Sequence, residues 1–82
     1  MITIDNNYGD FEAYLISPEG ENLGVITNII SLDNVRRQIK NEQVSGYTLK
    51  YDGNLIKIDS HGNMSDWPEG LCYYTGVLRD LI

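Results

Sequence analysis

The chain has 82 residues and a formal net charge of −6, from 12 acidic residues against six basic ones. That length is one small domain with a thin core. Six bases give no sustained surface for neutralising phosphates, which argues against direct binding of nucleic acid or of anionic membranes. The hydrophobic share of 41 % is too high for a disordered tail. No apolar run approaches the roughly 18 residues of a membrane-spanning helix, and a single Cys leaves no internal disulfide. The opening Met1-Ile2-Thr3-Ile4-Asp5 has neither the basic nor the apolar region of a signal peptide. A cytoplasmic protein without metal or cofactor is therefore expected.

Residues 1–4 alternate apolar and polar, as a short strand does, and Asn6-Asn7-Tyr8-Gly9-Asp10 is turn chemistry. Residues 11–17 read as a strand with Phe11, Ala13 and Leu15 on one face and Glu12, Tyr14 and Ile16 on the other. The loop Ser17-Pro18-Glu19-Gly20-Glu21-Asn22 leads into a second strand over 23–30, rich in β-branched residues. These two strands are expected to form an antiparallel hairpin.

Ser31 reads as a helix N-cap with Asp33 in the first turn. Leu32, Val35 and Ile39 recur at helical spacing, and Val44-Ser45-Gly46 ends the helix. Tyr47, Leu49 and Tyr51 share a face of a third strand. Asp52-Gly53 is the strongest hairpin signal in the chain, because a type I′ turn needs positive φ at both positions. Residues 54–59 form the return strand, with Ile56 and Ile58 on one face, before a loop at 60–65. Asp66 to Glu69 has the form of a capping box with Pro68 in the first turn. Leu71, Tyr74, Leu78 and Leu81 then follow at helical spacing, although Gly70 and Gly76 each weaken such a helix by about 1 kcal/mol. The expected fold is α+β: a two-layer sandwich in the order β-ββα-ββα. Its antiparallel sheet has four or five strands, with two helices on one face.

Catalytic patterns are sparse. His61 and Cys72 are the only residues of their kind and lie eleven positions apart, one in a loop and one in the expected last helix. A nucleophile pair would need contact and a third orienting group; a small apolar core residue and an exposed loop histidine account for them more simply. Asp59, His61, Asn63 and Asp66 resemble a calcium loop, but Met64 stands where Gly is required and Gly70 where the acid is. No catalytic residue and no metal ligand is assigned.

Binding features are stronger. Arg36, Arg37 and Lys40 concentrate on one helix, which leaves the remaining surface strongly acidic. Glu19, Glu21, Asp52, Asp59, Asp66 and Glu69 sit in turns and strand ends, where they can form a surface for a basic partner. Tyr14, Trp67 and Tyr73 are candidate aromatic anchors. Tyr14, Ile16, Ile26 and Ile30 could make an open sheet face apolar enough to bind a partner or a second copy, and strand edges could be augmented.

In size and charge alone, the chain resembles the small acidic inhibitors of phages and mobile elements, such as anti-CRISPR and anti-restriction proteins and DNA mimics. The likeness covers no motif. It implies a non-enzymatic binder that docks on a basic nucleic-acid-processing protein. The alternative is an immunity protein, antitoxin or assembly adaptor, pairing through an apolar sheet face or a strand edge, with homodimerisation as one form of it.

Overall fold

Alternation decides which side of each strand is buried. In the computed structural model, which describes residues 2–5, 9, 11–67, 71–74 and 77–80, β1 (Ala13–Ile16) buries Ala13 and Leu15 completely and leaves Tyr14 41 % exposed. It pairs with β2 (Asn22–Ile26) on one side and β3 (Tyr47–Tyr51) on the other, and β3 pairs with β4 (Asn54–Ile58). The result is a four-stranded antiparallel sheet in the order β2-β1-β3-β4. Leu49 of β3 lies between Leu15 and Ile56, and all three are fully buried. The helix α1 (Ile29–Glu42) adds Ile29, Leu32, Val35 and Ile39 to the same core, so one sheet face carries the helix and the protein is α+β.

Two turns set the register. Asp52 and Gly53 have φ of +50° and +80°, as a type I′ turn requires, and Tyr51 pairs with Asn54 across them. The β1–β2 connection is tied by the Ser17 Oγ, which accepts from the Glu21 N–H at 3.0 Å. A bulge follows, because Leu15 pairs with Gly24 and Ile16 with Asn22. Leu23 is left outside the ladder and 41 % exposed.

Four sequence expectations are corrected around the helix and the first residues. Asn28, not Ser31, is the N-cap: its Oδ1 accepts from the Ser31 N–H at 2.7 Å, an arrangement that stabilises by about 1 kcal/mol relative to Ala. Ile29 and Ile30 thereby leave the expected second strand and become the first helical turn. Ile29 is driven there by full burial, while Ile30 is 66 % exposed on the helix. Ile26 lies in the core at 0 % exposure rather than on the open sheet face. Finally, residues 2–5 form no strand. They run beside α1, where the Gln38 amide accepts from the Thr3 N–H at 2.9 Å and donates to its carbonyl at 2.7 Å. The Ser31 hydroxyl donates to the Asp5 carbonyl. A side-chain amide thus replaces a neighbouring strand, and Ile2 and Ile4 still pack against the core.

The second helix is also corrected. β5 (Leu71–Tyr74) and β6 (Val77–Asp80) pair antiparallel as a separate two-stranded sheet. Leu-Cys-Tyr-Tyr followed by Val is composition that suits extended backbone, and Gly70 and Gly76 oppose a helix. The expected roles of Tyr8, Asp10, Pro68, Glu69, Gly70, Gly76 and Leu81 fall outside the described residues. Among the described residues, no helix is long and apolar enough to cross a membrane.

Candidate functional site: an acidic sheet end

Antiparallel register places three connections at one end of the sheet. Ile16 is opposite Thr48 and Tyr47 is opposite Ile58, so the β1–β2 turn, the entry to β3 and the exit from β4 adjoin. Gly46 packs so closely on Pro18 that a Cβ there would sit 3.0 Å from the Pro18 Cβ. Glu19 and Glu21 ride on that turn, Glu42 closes α1, and Asp59 follows β4. The Tyr47 phenol registers this gathering: burial first, then Glu42 and Glu19, push its pKa above the ordinary value.

Asp59 and Asp66 meet in a groove of about 470 Å³ whose other lining includes Ser45, Thr48, Lys57 and Ser65. Asp59 also builds its own loop. Its Oδ1 accepts from the His61 N–H at 2.8 Å and from the Asn63 N–H at 2.9 Å. The bond from Asn63 is the main reason that its carboxyl titrates below the usual range, with His61 and Arg36 adding to it. Among the described residues, no three His, Cys, Asp or Glu side chains gather in a way that could hold a metal ion.

The structure divides the candidate residues. Glu19, Glu21, Asp59 and Asp66 share the acidic end. Asp52 belongs to the β3–β4 turn at the opposite end, roughly 15 Å away for a five-residue strand. Glu69 lies outside the described residues. Tyr14 stands on the open face between Val25 and Lys50. Trp67 is half-buried against the core, so much of its ring serves packing. Tyr73 lies on β5, and its side chain is outside what is described, as is that of Cys72, placed on a strand rather than a helix. His61 is an exposed loop residue.

Glu42, Thr48 and Lys57 were not singled out by the sequence. The signal for Glu42 was the short connection 43–46, which ties the end of the helix to the start of β3. Comparison with protein-family models, curated proteins and solved structures finds no match to this chain.

The charge around Tyr47 has a direct readout. A raised folded-state pKa means that the native state holds the phenolic proton more tightly than the unfolded chain does. Stability linked to Tyr47 is therefore intact below about pH 10 and is lost as pH rises through the folded value. In an ultraviolet titration, Tyr47 is expected to ionise above the ordinary tyrosine value, and Glu42→Gln to bring it down. A wild-type titration with no late phenol, or one unchanged by Glu42→Gln, contradicts this arrangement.

Proposed function

We propose that the chain is a non-enzymatic protein-binding module that presents the acidic end of its sheet to a basic surface, as an inhibitor of a nucleic-acid-processing protein would. The supporting observation is the convergence of Glu19 and Glu42 on Tyr47, with Asp59 and Asp66 in the adjoining groove. These carboxylates are held on connections tied by hydrogen bonds and by a helix end, so their spacing is set before any partner arrives. Exposed charges of this kind speed encounter and select partners more than they add raw affinity. The groove also offers the Ser45, Thr48 and Ser65 hydroxyls for polar contacts.

A second possibility has an observation of its own. The sheet face opposite α1 exposes Tyr14 at 41 % and Leu55 at 64 %, beside Ile16 and Val25. An immunity protein, antitoxin or assembly adaptor could pair through that face.

The test is affinity capture on the full chain from the native host, then a salt series on the recovered pair. Binding through the acidic end is expected to weaken at least about tenfold between about 0.05 and 0.5 M NaCl, as charge pairs are screened. Glu19→Lys with Glu42→Lys is expected to have a similar effect. Salt-tolerant binding that survives the double reversal but is lost in Tyr14→Asp would sink the acidic-end proposal in favour of the sheet face.

A further inference from the structure

The bases of this acidic chain are not scattered. Arg36 and Arg37 are adjacent on α1 with Lys40 one turn further on, and the 59–63 loop folds back over them. Together with Asp33, His61 and Asn63 they line a shallow cleft of about 350 Å³. Arg36 is fixed there: its Nε donates to the Gly62 carbonyl at 2.6 Å, and its Nη1 lies 3.5 Å from the Asp33 carboxylate. Gly62 is buried directly against the Arg36 backbone, and the Asp59 carboxylate locks the loop through His61 and Asn63.

Anchoring the loop explains Arg36. It does not explain Arg37, Lys40 or the imidazole, all exposed at the same cleft. Among the residues that line the cleft, three cations face only the Asp33 carboxylate, a net of two positive charges held on a helix and a tied loop. The nearby Asp59 carboxylate, which also acts on Arg36, does not line the cleft and accepts from the loop's own His61 and Asn63 N–H groups. A phosphomonoester carries about −1.5 to −2 at neutral pH and three acceptor oxygens, which matches that charge. Guanidinium and ammonium donors bond such oxygens by charge-assisted hydrogen bonds. A single carboxylate would leave the site half-compensated. An extended polyanion would meet the acidic surface around it.

We infer that this cleft binds the phosphate group of a small soluble molecule, through Arg37, Lys40 and His61 beside the anchored Arg36. The inference needs no protein partner at the acidic end; the two sites share only Asp59, which lines that groove and ties the loop of this cleft.

The test is a titration of the isotope-labelled full chain with inorganic phosphate, followed by its amide resonances, with acetate at matched ionic strength as control. Phosphate is expected to give saturable shifts confined to residues 33–40 and 59–63, with half-saturation at about 1 mM or below. Acetate is expected to bind at least about tenfold more weakly. Arg37→Gln with Lys40→Gln keeps the Arg36 anchor and is expected to weaken phosphate at least about tenfold. Lys50→Gln removes one positive charge from the open sheet face and is expected to leave binding unchanged, whereas Arg37→Gln alone weakens it. Equal response to phosphate and acetate, shifts spread over the chain, or equal loss in Lys50→Gln and Arg37→Gln would overturn the inference. Each result is read only on variants whose spectra remain dispersed; Arg37→Gln alone is the fallback for the helix pair.

Discussion

Leu49→Ala is expected to cost about 3 kcal/mol, lowering the midpoint of thermal unfolding by roughly 12–24 °C. Leu49 sits at the centre of β3, fully buried, with Leu15 and Ile56 as its cross-strand neighbours. From the other side the core is closed by α1, through Leu32, Val35 and Ile39. A methyl group there leaves a cavity between two layers that can collapse only by bending the middle of the sheet. In a domain whose whole stability is of the order of 5–15 kcal/mol, that is a large share. The matched control is Leu55→Ala, one strand away on the opposite face and 64 % exposed. Its cost is expected within about 0.5 kcal/mol. Urea unfolding of both variants measures the contrast. A Leu49 loss below about 1 kcal/mol, or a Leu55 loss of the same size as that of Leu49, contradicts the placement of the core on the α1 side of the sheet.

Much of this core was legible because strand alternation is a local property. Tyr47, Leu49, Ile56 and Ile58 occupy the face that period two assigned them, and Asp52-Gly53 forms the turn that its residue types require. The same pattern misled at residues 2–5. Alternation reports one buried side, and Ile2 and Ile4 do pack against the core. It cannot report who satisfies the backbone, and here it is the Gln38 amide, thirty-five positions away in the case of Thr3. At the helix start, Asn28 and Ser31 are both cap types, and the β-branched pair between them favours a strand locally. Burial of Ile29 decided otherwise, and only the tertiary fold supplies that burial. In residues 71–80 a short apolar run fits either period, so Leu71, Tyr74 and Leu78 satisfy helical spacing while their backbone forms strands.

The candidate site was legible in its residue types and not in their grouping. Glu19, Glu21 and Asp59 share one end because antiparallel register puts the β1–β2 turn, the entry to β3 and the exit of β4 there in succession, while the same register sends Asp52 to the far end. Among the described residues, Glu19, Glu21, Asp59 and Asp66 thus gather at one end together with Glu42, and Asp52 lies at the other. The basic cleft shows the same limit. Arg36, Arg37 and Lys40 are visibly clustered in the sequence, but His61 and Gly62 reach them only because the 59–63 loop folds back onto α1.

That loop can be tested at one atom. Gly62 has φ of +80°, and a Cβ on it would lie 2.6 Å from the Arg36 carbonyl oxygen. The obstacle is backbone in the middle of a helix, so no rotamer change can relieve it. Gly62→Ala is therefore expected to cost about 2–3 kcal/mol, from positive-φ strain together with displacement of the loop. Gly53→Ala separates the two contributions: Gly53 has the same φ, but nothing lies within 4 Å of its Cβ position. It is expected to lose only about 1 kcal/mol, the conformational part. Beyond stability, Gly62→Ala should break the Arg36 Nε bond to residue 62 and speed amide exchange at His61 and Asn63, whose N–H groups Asp59 holds. If the loop is displaced, the phosphate cleft loses one wall, so phosphate binding falls even though every cation remains. Equal stability losses at the two glycines, with exchange at 61 and 63 unchanged, would show that the loop does not rest on α1. The preorganisation of the cleft would then fail with it.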